Sequence, residues 1–85
     1  MNVVITSVAQ KQFIDLPTLI KIRVRNIFIR LQNWPEVSGY KSLSGVFAGY
    51  LRIRTGDYRV IFSVAMNTIT IYRIGHRDKI YKWPL

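Results

Sequence analysis

The sequence predicts an α+β domain: a short N-terminal strand and a helical hairpin packed on an antiparallel β-sheet. Three observations predict it. Apolar residues recur at helical spacing between Ile20 and Leu31, the period changes to two from Gly49 onward, and Gly56-Asp57 is a hairpin signal between the two clearest strand patterns. The 85 residues, 49% of them hydrophobic, are read as one domain over 1–85 with a small core.

The elements follow in order. Met1 to Thr6 is apolar and β-branched, which fits a short strand. Ser7-Val8-Ala9-Gln10 reads as a capping box, with Ser7 the cap and Gln10 reaching back. That helix ends near Asp15, because Pro17 disfavours a helical Leu16 but suits the first turn of a second helix. The second helix, about Pro17 to Asn33, gathers Ile20, Val24, Ile27, Phe28 and Leu31 on one arc that should pack on the sheet. Leu19, Ile22 and Ile29 fall on the opposite side among Arg23, Arg25 and Arg30, where the first helix is expected to cover part of them; the alternative is a partner-binding surface. Trp34-Pro35 stops the helix, and Glu36 to Lys41 reads as a loop.

The strands give a register. Tyr50 to Thr55, Tyr58 to Val64 and Thr68 to Ile74 form an antiparallel meander with turns at Gly56-Asp57 and Met66-Asn67. A two-residue loop at Gly56-Asp57 pairs Thr55 with Tyr58, Arg54 with Arg59, Ile53 with Val60, Arg52 with Ile61 and Tyr50 with Ser63. One face then carries Leu51, Ile53, Val60, Phe62 and Val64 as core. The other carries Tyr50, Arg52, Arg54, Arg59 and Ser63, a basic and aromatic surface. Two arginines placed directly opposite repel, which an anionic partner would relieve. Uninterrupted alternation puts Arg73 on the core face, to be paired with a carboxylate or turned out by a bulge.

Charge points the same way. Thirteen Lys and Arg against four Asp and Glu give a net charge of +9, which attracts polyanions. No cysteine is available for disulfides or thiolate metal sites, and the single His76 cannot build a zinc cluster, so neither metal nor cofactor is expected. The longest stretch without charge, Val60 to Tyr72, is too short to span a bilayer, and the N-terminus has no basic region before its apolar stretch. A cytoplasmic protein with no membrane partner is the expectation.

The run Leu43-Ser44-Gly45, then Gly49-Tyr50-Leu51-Arg52-Ile53-Arg54-Thr55-Gly56-Asp57-Tyr58-Arg59-Val60-Ile61-Phe62, then Tyr72-Arg73-Ile74-Gly75-His76-Arg77-Asp78-Lys79-Ile80-Tyr81 resembles the RelE/ParE superfamily of toxins, most closely its RelE branch. The resemblance implies a microbial RNase fold and a toxin of a type II toxin–antitoxin system. It implies an enzyme that cuts mRNA in the ribosome and is restrained by a cognate acidic antitoxin, in a hetero-oligomer that also sits on operator DNA. Its cleavage chemistry is attack of the mRNA's own 2′-hydroxyl on the adjacent phosphate, without metal. Such a reaction needs help with the 2′-proton, cations around the phosphorane and a donor for the leaving oxygen. Arginine suits the second task, because its fork stays charged and matches phosphate oxygens.

Carried over on that resemblance, Arg59 and Arg77 bind and stabilise the phosphate, Arg52 matches a basic position on the same strand, and Tyr81 contacts the substrate near the attacking hydroxyl. Arg54, Tyr50 and Lys79 are expected to contact RNA, and Leu19, Ile22 and Ile29 the antitoxin. Where the RelE pattern has a lysine two residues before the Arg52 position, this chain has Tyr50, so the general base is unassigned. His76 is a candidate acid or base, since histidine ordinarily changes charge near neutral pH; the other reading, which is preferred, is structural. Asp57 reads as a turn former rather than a base, and Trp83 as closing the core's edge rather than stacking on RNA. Two alternatives to the RNase stand beside it: a ParE-like non-enzymatic gyrase poison, and an inactive homologue that binds only antitoxin and operator DNA.

Overall fold

The computed structural model of the chain describes residues 1–82; Trp83, expected at the core's edge, lies outside the described residues. The elements run β1 (Asn2–Ile5), α1 (Ser7–Ile14), α2 (Thr18–Leu31), β2 (Tyr40–Ser42), β3 (Leu51–Thr55), β4 (Tyr58–Ala65) and β5 (Thr68–His76). Two 3₁₀ turns, Gly45–Phe47 and Ile80–Lys82, flank the meander. The α+β class holds, with one five-stranded sheet in the order β1-β5-β4-β3-β2. It is mixed rather than purely antiparallel, because β1 pairs parallel with β5, Val3 opposite Ile69 and Ile5 opposite Ile71.

Both helices lie on one face of the sheet and bury the apolar arc of α2. Val24, Ile27 and Leu31 pack with Ile53, Val60, Phe62, Ile69, Ile71 and Ile74 in one buried cluster. Each such side chain contributes about 1.5–3 kcal/mol on burial. Phe13 of α1 meets Phe28 of α2 at 5.8 Å between ring centres, and Trp34 sets its ring edge-on to Phe62 at 5.9 Å. Leu19, Ile22 and Ile29 are 58%, 44% and 55% exposed, so α1 does not cover them. The reason is direction: α1 packs on β5, and its Phe13 meets α2 at Phe28.

The cap of α1 is Thr6, not Ser7. Thr6 keeps extended backbone angles and its hydroxyl accepts from the Ala9 amide at 3.2 Å, so Ser7 is already helical. Gln10 does not close the box either, because its amide donates to the Ile5 carbonyl at 2.9 Å. The expected loop from Glu36 to Lys41 ends in the edge strand β2, which pairs Tyr40 with Ile53 and Lys41 with Arg52. All three β2 residues are exposed, which removes the alternation that would mark a strand.

The β3–β4 register is the expected one from Thr55 opposite Tyr58 to Arg52 opposite Ile61. Gly56 has φ of +58°, as the first residue of a tight hairpin turn requires. Between β4 and β5 the register slips once: Ile61 faces Arg73, while the next residue, Phe62, faces Ile71. Tyr72 is therefore the extra residue of a β-bulge, and it turns Arg73 off the core face. Side chains from α1 and its cap satisfy the bulge. The Ile74 amide donates to Gln12 Oε1 at 2.8 Å, and the Thr6 hydroxyl reaches the Tyr72 carbonyl at 3.4 Å.

Candidate nucleic-acid interface

With the helices on one face, the other face of β2 to β5 is left to the polar residues. The registers arrange them in rows. At the hairpin end, Arg54, Arg59 and Gly75 stand side by side; next come Lys41, Arg52, Ile61 and Arg73; beyond them, Ser63 and Thr70. Tyr50 precedes β3 and extends that last row: its ring meets Tyr72 edge-on at 5.3 Å, and Tyr72 shares a hydrogen bond with Ser63 at 3.2 Å. The face is thus basic at one end and aromatic at the other.

The residue expectation had missed Ile61, which lies on this face and is fully buried. The turn Ile80–Lys82 packs against β5, and Ile80 is fully buried as well. Neither belongs to the helix-side core cluster. Tyr81, the next residue, stays 37% exposed and sets its ring edge-on to Phe47 at 5.8 Å. The 3₁₀ turn at Gly45–Phe47 and the C-terminal turn therefore rise together beside the strands.

At the hairpin end, Arg59 donates to the Gly56 carbonyl at 3.0 Å. The Arg77 amide donates to the Asp57 carbonyl at 2.8 Å, and its Nε lies 3.6 Å from Asp57 Oδ1. Arg59 and Arg77 are thus both tied to the same two-residue turn. His76 is placed differently. It pairs with Tyr58, a residue packed against the core, and its ring meets the Tyr58 ring at 5.4 Å, so it belongs to the helix side of the sheet. Its Nδ1 accepts from the Asp78 amide at 3.2 Å, and its Nε2 is 3.9 Å from Asp57 Oδ2.

A family model for the ParE toxin of type II toxin–antitoxin systems, parDE, matches residues 3–81. The chain belongs to the RelE/ParE toxin superfamily. It is a toxin of the type II toxin–antitoxin class. Solved structures agree on the fold. The RelB–RelE complex of Methanococcus jannaschii is 28% identical with a TM-score of 0.77, covering 93% of this chain and 95% of that one. The archaeal RelE–RelB complex from Pyrococcus horikoshii is 29% identical with a TM-score of 0.75, covering 92% and 96%. The RelBE2 toxin–antitoxin complex of Mycobacterium tuberculosis is 26% identical with a TM-score of 0.77, covering 89% and 96%. No curated protein sequence matches the chain.

Within this toxin, the candidate residues fall into three places. Arg52, Arg54 and Arg59 lie on the basic face, with Arg77 and Lys79 following β5 and Tyr81 in the turn above. Tyr50 sits at the aromatic end. Leu19, Ile22 and Ile29 are on α2, across the sheet from the arginines. Lys41 joins the basic face without having been expected there, and Arg73 joins it through the bulge that was one of its two expected outcomes. Lys41 needed an edge strand with no alternation, and Arg73 needed the bulge at Tyr72, which one residue of slip in the period would have signalled. Among the described residues no helix is long and apolar enough to cross a membrane.

Proposed function

We propose that this toxin is a metal-independent mRNA endonuclease that acts on the translating ribosome. The observation that supports it is the pairing of Arg59 and Arg77 at one turn, at the end of a face that also carries Arg52, Arg54 and Arg73. In the reaction, the 2′-hydroxyl loses its proton as its oxygen bonds to the adjacent phosphorus, and the bond to the 5′-oxygen breaks as that oxygen takes up a proton. The products are a cyclic phosphate and a free 5′-hydroxyl. Arg59 and Arg77 stabilise the charge on the phosphorane, and Arg52 holds the strand beside it. Tyr81 lies near the attacking hydroxyl and stacks on a base; Arg54, Tyr50 and Lys79 guide the RNA on either side. His76, on the helix side of the sheet, orients the loop after β5 and takes no proton from substrate.

The partners follow from the reading. A ribosomal target means cytoplasmic action, and an acidic antitoxin that covers Leu19, Ile22 and Ile29 restrains the toxin in a hetero-oligomer able to sit on operator DNA. A second reading, a ParE-like gyrase poison, is favoured by one finding: the family model matching residues 3–81 is that of ParE. An in vitro translation reaction with primer extension, run beside a gyrase supercoiling assay, separates them. The endonuclease gives new 5′ ends on ribosome-bound mRNA and leaves supercoiling intact; the gyrase poison does the reverse.

A further inference from the structure

We propose that Asp57 is a positioning residue for Arg77, so that the Gly56-Asp57 turn sets both phosphate-binding arginines in fixed relation. The inference rests on the endonuclease reading. The β4–β5 register pairs Tyr58 with His76, and one step further it sets Asp57 opposite Arg77. The backbone bond from the Arg77 amide to the Asp57 carbonyl, 2.8 Å, continues the ladder to that pair. The two carboxylate oxygens of Asp57 then divide their work. Oδ1 lies 3.6 Å from Arg77 Nε and Oδ2 lies 3.9 Å from His76 Nε2, while Asp78 approaches the same Arg77 Nε at 4.0 Å and His76 Nδ1 at 3.4 Å.

Arg77 and Asp57 are 59% and 61% exposed, so solvent screens the pair and it adds little to stability. What it supplies is direction. Arg77 follows the last strand and is itself exposed, so the ion pairs rather than core packing orient it. Both pairs approach through Nε, and a guanidinium held there still has four Nη protons to offer a second acceptor. A phosphate meets such a fork two bonds at a time. In the same turn the Gly56 carbonyl holds Arg59 at 3.0 Å, so one dipeptide orients both cations, one by a carbonyl and one by a carboxylate. This gives Asp57 work beyond forming the hairpin.

The test is a double-mutant cycle in the full chain, with Asp57→Asn, which keeps the shape of the turn residue, and Arg77→Ala. Single-turnover cleavage of ribosome-bound mRNA should fall about tenfold on Asp57→Asn alone, the scale of a misaligned catalytic group. In the Arg77→Ala background the same change should cost less than about twofold. Equal losses in both backgrounds, or no loss in either, would overturn the proposal. A second readout does not depend on activity: the NMR signal of the Arg77 Nε–H should shift and exchange faster in Asp57→Asn. If the wild-type chain cuts no RNA, the endonuclease reading fails and this signal still decides the positioning role; an unchanged signal overturns it.

Discussion

Arg54 and Arg59 stand directly opposite each other across the β3–β4 ladder, and Arg59 turns along its strand to donate to the Gly56 carbonyl at 3.0 Å. Opposed like charges weaken a sheet pair, by roughly a few tenths of a kcal/mol up to 1. Here the neighbour on the other side is Gly75, which presents no side chain beside Arg59. The hairpin end of the exposed face therefore carries two adjacent arginines with no side chain between them and β5. That pair of charges is what a phosphate would neutralise.

The placement of His76 makes a kinetic expectation. Because its ring lies on the Tyr58 side of the sheet and accepts from the Asp78 amide, His76→Gln should lower thermal stability and leave the shape of the pH–rate profile unchanged. Single-turnover rates between pH 5.5 and 8.5 (roughly the range over which histidine titrates) check this. A limb of the profile that disappears in the variant would make His76 an acid or base after all.

The exposed apolar residues of α2 predict where the antitoxin lies. A charge introduced by Ile22→Glu or Leu19→Glu should weaken the toxin–antitoxin complex by at least about tenfold, since each residue would desolvate a carboxylate against an apolar segment. The isolated toxin should keep its fold and its cleavage rate, because neither residue is in the core or on the basic face. Isothermal titration against the antitoxin encoded beside it measures the first; unchanged affinity for both variants would move the interface elsewhere.

Thr6 joins two features of the fold. Its hydroxyl caps α1 at the Ala9 amide and also reaches the carbonyl of the bulge residue Tyr72. Thr6→Ala should cost about 1–2 kcal/mol in urea unfolding, whereas Ser7→Ala, already inside the helix, should cost less than about 0.5 kcal/mol. Equal costs would mean that the cap is shared between the two positions.

The sequence made the central hairpin legible for a physical reason. A Gly-Asp turn flanked by alternating apolar residues fixes the register, and with it the face shared by Arg52, Arg54 and Arg59. The parts that escaped lack a periodic signal. Strand β2 is exposed at every residue; the bulge at Tyr72 slips the alternation by one, which left Arg73 between the core face and a bulge; and Ile61 is a buried apolar residue on a face otherwise read as polar. The cap moved by one residue because Thr6 and Ser7 are both competent acceptors, and only the backbone angles at Thr6 decide between them. For the site, the resemblance supplied the roles, and geometry supplies the turn that ties Arg59 to Arg77.

The central claim is that the hairpin end of the basic face is where a phosphate is attacked. The most direct measurement is single-turnover cleavage of ribosome-bound mRNA by the wild-type toxin, Arg59→Ala and Arg77→Ala, each first shown to be folded by circular dichroism. The account predicts that the wild type cuts and that each variant is slower by about a hundredfold or more, the loss expected when one transition-state donor is removed. Folded variants that cut at the wild-type rate would contradict it.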